Sequence, residues 1–566
     1  MDQPPSSAGP DTPAAAAPSL TTDDTMRRRL LAATAFLLAA MIWLGPPPVR
    51  AQQATTVSIS NRTLMVDGML RRGQELERER RWGEALTHYE EALRQCPEES
   101  SLEHRFEFAR LHYDLARRYA DRSFSATLGR VTGEKALEVY GQVLLKIQSH
   151  YVEAPAWKDL LDRGTADLEL ALNEPAFLER NLPGRNLTAV DAFRTELHAL
   201  LASRTVATRL DVQDGVAMVA ALAQSRLAIS PTPVIFEYLC GATNALDPYS
   251  AYLTPDQLTE VYSQIEGNFV GLGVELKTQG GVLVIVRVIP GSPAERAGVL
   301  ADDRIVAVDH HATADVSTDQ AANLLQGPEG SLVTLTVAAP GQPSREMIIR
   351  RMRVDVPSID RVRILDAQQG IAYLKLTCFQ KTTRRDLETA LWRLHNDGMR
   401  SLILDLRGNP GGLLVMAVEV ADLFLDRGTI VSTRGRSPQE DFTYTAHEEG
   451  TWHVPLTVII DQDSASAAEI FAGAIRDHHR GTIVGVRSFG KGSVQGIFPL
   501  EMSDSGLRLT TAKFYSPNGR PYSRVGVEPD VVVHQAARPI NDVVAPKDDA
   551  MLTAALDVAR NAPRAQ

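Results

Sequence analysis

Two apolar runs in this chain each turn directly into a helix or a glycine-rich turn, and nothing else in it constrains the fold as tightly. PLTVIID, ending at Asp461, reads as a buried strand, and AAEIFAGAIRDHH, beginning at Ala467, carries apolar residues at helical spacing. SLILDLR, ending at Arg407, is a second such strand and enters the turn GNPGG at 408–412. Ser466 therefore falls at a strand-to-helix turn. A hydroxyl there is raised out of the sheet, and the unpaired N–H groups of the helix start face any oxyanion formed beside it. The same position also suits a helix cap, because a Ser side chain satisfies those N–H groups.

Lys491 decides between these readings. A further strand, GTIVGV, leads into SFGKGSVQG at 488–496, where Lys491 lies between Gly490 and Gly492. An amine acts as a base only when neutral, so burial must bring its pKa from about 10.4 toward about 7 to 8. Flanking glycines let the backbone pack closely around it.

The ordered string DLRGNPGGLL, SASAAEI, GKGSVQ and VGVEPD, ending at Asp530, resembles the C-terminal processing peptidases, the tail-specific Ser-Lys family. The resemblance runs from about residue 235 to about residue 555 and implies an α/β peptidase core over 354–535, preceded by a helical part at 185–263. It implies Ser466 as nucleophile and Lys491, 25 residues later, as base. Gln495 matches the family residue that orients the amine, an amide being able to accept from an ammonium without holding it charged. The oxyanion hole would use the N–H groups of Ala467 and Gly412, each such donor being worth about 3 kcal/mol in a transition state. The chain departs from the family pattern at Gly408, Ala468 and Asp302, where Asn, Ser and Gly are commoner. None of these removes a catalytic side chain.

Upstream, FVGLGVEL at 269–276 precedes the alternating run VLVIVRVI and then PGSPAERAGVLADDRIVAVD. A Gly-rich loop entering a strand, then a Pro-Gly turn, a short helix and another strand, resembles a PDZ domain, here spanning 264–353. The resemblance implies that backbone N–H groups of Gly271, Leu272, Gly273 and Val274 hold the terminal carboxylate of a peptide added as a strand beside VELK. Arg287 would then sense that carboxylate or simply face solvent. LDPYSAYLTPDQL, at 246–258, resembles the family's lead-in to this domain, and its Pro-bounded helix start needs no catalytic explanation.

From Met69 to Pro97, Gly73, Ala85, Tyr89, Ala92 and Pro97 stand where a tetratricopeptide unit places its small, aromatic and terminal Pro residues. One repeat cannot bury its own face, so a tetratricopeptide-like helical region over 52–180 is expected, with Ala136 and Tyr140 repeating the spacing. It would serve as a surface for a protein partner or as a supporting cap. Before it, MRRRLLAATAFLLAAMIWLGPPPVRAQQ begins at Met26 and reads as a signal peptide at 26–51, cleaved after Ala51. If uncleaved, the same run would act as a membrane anchor, although it is short for a spanning helix. Residues 1–25 are low-complexity, and translation from Met26 would account for their place ahead of the charged start. The segment 536–566 reads as a C-terminal tail with a short helix.

The fold class expected is therefore multidomain α+β: tetratricopeptide-like helices, a PDZ domain and an α/β peptidase core. At 566 residues and 44% hydrophobic content the chain has length for three or four such domains and apolar material for their cores. A net charge of −11 argues against nucleic acid as a partner and offers no basic membrane patch. Cys96, Cys240 and Cys378 imply no internal disulfide framework, and the adjacent doublets His310-His311 and His478-His479 do not converge on one ligand site. No metal and no cofactor are expected. Two functions follow: an exported, periplasmic or membrane-face serine endopeptidase that captures protein C-termini and cleaves through an acyl-enzyme, or a secreted scaffold whose peptidase-like core is inactive. Together Ser466, Lys491, Gln495 and the PGG turn favour the peptidase, since a scaffold needs none of them.

Overall fold

A computed structural model describes residues 50–97, 99–184, 187–279, 282–314, 324–325, 327–533 and 549–562. The chain divides at Arg110 into two compact units. The expected signal peptide lies outside the described residues except for Arg50 and Ala51, which open the helix Arg50–Arg78.

In the first unit this helix and Trp82–Gln95 pack against each other. A Cβ on Gly73 would lie 2.1 Å from the Tyr89 ring, so only glycine lets the aromatic seat there. Ala85, Tyr89 and Ala92 are buried with Leu76, Leu102 and Ala109 in one small core. That core ends with Ala109. The helices expected to extend the repeat as far as residue 180 belong instead to a different core, which runs from Leu115 to Tyr252 and takes in Leu500, Leu507 and Leu509 from two later strands. Twelve of the fourteen residues of the helix Pro231–Asn244 are buried, as an all-round apolar sequence requires.

A six-stranded sheet carries the turns that hold Ser466 and the PGG segment. Its order is Ile359–Asp366, Ile371–Leu376, Ser401–Asp405, Leu456–Ile460, Gly481–Gly485 and Val531–Val532, parallel except for the first pair. Alternate residues face opposite layers, as the strand period dictates. Leu374, Leu404 and Val458 join the core that includes the helices Thr383–Asn396, Leu414–Asp422 and Ala467–Asp477. Tyr373, Ile403 and Ile459 pack with Met551, Leu552, Ala555 and Ala559 of the helix Ala550–Asn561. That helix, expected as part of a tail, is thus one of the two layers covering the sheet. A second, antiparallel sheet joins Ser505–Tyr515 to Ser493–Leu500, Gly428–Gly435 and the short lead-in strand Ala251–Leu253.

The inserted domain has its own sheet, in which Val274–Gln279, Val282–Val288, Arg304–Val308, Leu332–Ala338 and Arg345–Arg350 run antiparallel. Its core holds Leu272, Leu283, Ile285, Ala294, Ile305 and Leu335. Strands Asn268–Gly271 and Met352–Asp355 pair with each other where the chain enters and leaves it.

Candidate active site

Three turns meet beyond the carboxyl ends of the parallel strands Ser401–Asp405, Leu456–Ile460 and Gly481–Gly485, the place where open α/β sheets carry ligands. Their backbones are cross-linked. Ser464 Oγ donates to the Leu406 carbonyl at 2.9 Å, Ala465 N–H to the Asn409 carbonyl at 2.9 Å, and Phe489 N–H to the Ser464 carbonyl at 3.0 Å. Asn409, fully buried, donates to the Leu376 carbonyl at 2.9 Å and accepts from Gly411 N–H at 2.8 Å, which fixes the PGG turn.

Ser466 heads the helix Ala467–Asp477 with φ 56° and ψ −115°. A non-glycine residue held in that region is strained, and such strain persists where surrounding contacts over-determine it. Here the contacts come from Glu469. Its fully buried carboxylate accepts from Ser466 N–H (2.7 Å), Lys491 N–H (2.9 Å), Gly490 N–H (2.7 Å) and Ser488 Oγ (2.6 Å). One side chain therefore binds the Ser466 turn to the Lys491 turn. Burial pushes this carboxyl above its ordinary range, while the four donors pull it back.

Lys491 is half-buried, with its Nζ 4.9 Å from the centre of the Tyr249 ring. Burial lowers its pKa below the ordinary lysine range and the nearby Arg508 guanidinium adds to this, against the opposing pull of Glu469 and Asp247. Among the described residues, the Ala467 and Gly412 N–H groups donate to no other group. Gly411 lies against Ser466, where an added Cβ would come within 2.7 Å of Ser466 Cβ. Two free N–H groups, a strained Ser and a half-buried amine are the residue types that attack on a carbonyl and binding of its oxyanion require, although among the described residues no hydrogen bond joins the Ser466 hydroxyl to the Lys491 amine.

Residues 370–533 match Peptidase family S41, and residues 284–338 match the PDZ domain. The chain is 38% identical over 302 residues to a carboxy-terminal-processing protease of Bartonella bacilliformis, covering 52% of this chain and 68% of that protein. A carboxyl-terminal-processing protease of Synechocystis is 34% identical over 318 residues, covering 55% of this chain and 73% of its own length. Another, of Picosynechococcus, is 35% identical over 319 residues, covering 55% and 75%. The chain belongs to peptidase family S41. It is a serine-type peptidase of the carboxyl-terminal-processing kind, with a PDZ domain.

The remaining expected residues of this S41 peptidase sit as follows. The Gln495 amide donates to Ser493 Oγ at 2.9 Å and Thr510 Oγ1 at 3.4 Å, on the strand that leaves the lysine turn, and no hydrogen bond joins it to Lys491 among the described residues. In the PDZ domain the Leu272 and Gly273 carbonyls accept from Ala294 and Ile289, whereas their N–H groups donate to no described group. Gly271 pairs with Met352 and Val274 with Val288. Arg287 is engaged rather than free, with Glu275 at 3.3 Å and Asp360 of the catalytic sheet at 3.3 Å. Asp302, where the family favours Gly, adopts φ 68°, the conformation glycine suits best. Among the described residues no group of three or more His, Cys, Asp or Glu side chains is placed to hold a metal ion.

Three features escape a reading by motif. Glu469 stands three residues after Ser466, and this Ser-x-x-Glu spacing is the signature of a capping box, which could have marked it. Asp405 accepts from Tyr373 Oη and pairs with Arg407, which also reaches Asp549 at 2.8 Å, so the cap of the last helix braces the PGG turn. Tyr249 reaches Lys491 from a segment some 240 residues away in sequence, and no local signal announces that contact.

Proposed function

We propose that this S41 peptidase is an exported endopeptidase that takes protein C-termini on its PDZ domain and hydrolyses peptide bonds with Ser466 and Lys491. Neutral Lys491 removes the Ser466 proton as the hydroxyl attacks the peptide carbonyl, the Ala467 and Gly412 N–H groups hold the oxyanion, and the ammonium then protonates the leaving amine. Water hydrolyses the acyl-enzyme by the reverse roles. The observation that supports this reading is the four-donor clamp of Glu469, which ties the backbone of a strained Ser466 to that of the half-buried Lys491. Gln495 orients the lysine strand through Ser493 and Thr510. Gly271, Leu272, Gly273 and Val274 form the carboxylate nest, supported by the unengaged N–H groups of Leu272 and Gly273.

The organisation proposed with it is a signal peptide at 26–51, a tetratricopeptide-like partner surface confined to the first unit, and a PDZ domain bounded by the paired strands near 268 and 355. Export rests on the Arg-led apolar run at Met26. Hydrolysis of casein or a tagged peptide by the wild type, Ser466→Ala and Lys491→Ala tests the dyad. Loss of turnover in both variants, with unchanged circular dichroism, is the expected result, and full activity in Lys491→Ala would overturn the assignment of the base.

A further inference from the structure

The lead-in segment LDPYS has no chemistry in a reading by motif, yet its backbone is fastened to the strand that flanks the lysine turn. Asp247 accepts from Tyr249 N–H (2.7 Å), Ser250 N–H (2.9 Å), Ser250 Oγ (2.8 Å) and Thr510 Oγ1 (3.1 Å). Arg508 Nε donates to the Tyr249 carbonyl at 2.8 Å, and Ala251 pairs with Arg508 in the antiparallel sheet. With donor and acceptor of Tyr249 both engaged, only its side chain is left to act. That side chain lies against Lys491, its ring centre 4.9 Å from Nζ, and its hydroxyl makes no hydrogen bond among the described residues. A turn built with this many fixed points needs no aromatic ring for its own stability.

We propose that Tyr249 is a positioning residue for the Lys491 amine, its ring being the wall that keeps water from the amine and partners the ammonium formed during acylation. This rests on Lys491 acting as the base. An aromatic face attracts a cation more weakly than a carboxylate does, so it stabilises the ammonium without retaining the proton that the leaving amine must receive. The other charged groups facing Lys491 are Arg508 from the neighbouring strand, Asp247 from the same turn and Glu469 from the nucleophile helix. Among the described residues none of them donates to or accepts from Nζ, whereas the Tyr249 ring lies within cation–π range of it.

The ring's two effects act in opposite directions on the amine, and substitutions separate them. In Tyr249→Leu the apolar bulk stays and the π face goes, so the acid limb of the kcat/KM profile should move down by about half to one pH unit. In Tyr249→Ala water reaches the amine, and the limb should move up by a similar amount. Tyr249→Phe keeps both effects and should keep the wild-type profile. The experiment measures kcat and KM for a quenched peptide from pH 5 to 10 in the full chain, with thermal melts of each variant and Lys491→Ala alongside. A fall in kcat of about tenfold in Tyr249→Leu with KM unchanged, together with the opposed limb shifts, supports the proposal. Unmoved limbs in Leu and Ala, or a Phe variant as impaired as Leu, overturn it. If Lys491→Ala itself retains turnover, the base assignment falls first; if Lys491→Ala is inactive while the Tyr249 profiles stay at wild type, only the role of Tyr249 falls.

Discussion

Glu469→Gln is the substitution that asks most of the site. Gln has the same shape as Glu but only one oxygen to accept with. In the native site Oε1 takes Ser488 Oγ and Gly490 N–H, and Oε2 takes Ser466 N–H and Lys491 N–H. With its oxygen toward Ser488 and Gly490 the NH2 confronts the Ser466 and Lys491 N–H groups; turned the other way it confronts Gly490 N–H, while the Ser488 hydroxyl can rotate to accept from it. Each lost hydrogen bond to a charged acceptor costs about 1.5 to 3 kcal/mol, so the loss of one or two takes about 1.5 to 6 kcal/mol from the mutual restraint of the turns. Solvent cannot make up the difference, because the side chain is fully buried. At about 1.4 kcal/mol per tenfold, the lower bound alone lowers kcat about tenfold once the turns separate. The assay is kcat on a short reporter peptide together with the thermal midpoint, and KM should change much less than kcat. A Glu469→Gln variant within threefold of wild-type kcat and with an unshifted midpoint would refute the argument that this carboxylate holds nucleophile and base together.

Ser466→Ala with Lys491→Ala should be hardly slower than either single variant, because the pair acts as a unit, and activity should rise with pH through a group titrating below the ordinary lysine range; a rise only near pH 10 would contradict this. Amidating the C-terminus of a good substrate should weaken its capture by about 1.5 to 3 kcal/mol, read as a 10- to 100-fold rise in KM, and equal KM values would remove the GLGV loop from substrate selection. Asp167, buried beside Asn244, Arg118 and Glu237, has its carboxyl pushed up to about 7 by burial. A raised carboxyl favours folding at low pH and loses that contribution as pH climbs through the folded pKa, so Asp167→Asn should raise the thermal midpoint at pH 8 by the equivalent of up to about 4 kcal/mol and leave it nearly unchanged at pH 4, measured by scanning calorimetry.

The turns that meet beyond the parallel strands were legible because each is local. An apolar run, a small-residue turn and a helical period occupy neighbouring positions, so Ser466, Lys491 and the PGG turn can be placed from the string alone. What joins them is not local. Glu469 acts on Gly490 and Lys491 across more than twenty residues, Asp549 on Arg407 across 142, and Tyr249 on Lys491 across the whole PDZ insertion. The extent of the repeat region was misjudged for the same reason. Ala136 and Tyr140 have the spacing of a repeat, but that spacing is shared by any helix with a small residue one turn before an aromatic. What decides is the neighbouring surface, and here both residues are buried in the core that includes Tyr238 and Leu507. Helix Ala550–Asn561 looked like a tail because the segment before it, 534–548, separates it from the sheet it covers.

Both ends of the PDZ insertion are hydrogen-bonded to the segment that packs against the PGG turn. Where the chain enters the insertion, the Ile265 carbonyl accepts from Lys381 N–H at 3.0 Å, and the Gly267 carbonyl accepts from Val356 N–H at 2.8 Å. Where it leaves, the Val356 carbonyl accepts from the Gln380 amide at 2.5 Å. Both ends of the insertion are thus held by residues 380 and 381. The residue before them, Phe379, donates to the Gly411 carbonyl at 2.9 Å and accepts from Leu413 N–H at 2.8 Å, bracketing Gly412. A displacement of the insertion that pulls on Gln380 is therefore felt two residues away by the turn whose N–H is proposed to hold the oxyanion. Packed turns of this kind shift between discrete arrangements rather than deform continuously. A peptide on the PDZ domain biases that choice only through a difference in affinity between the two arrangements, and the hydrogen bonds of Phe379 and Gln380 are the contacts on which such a difference would have to act.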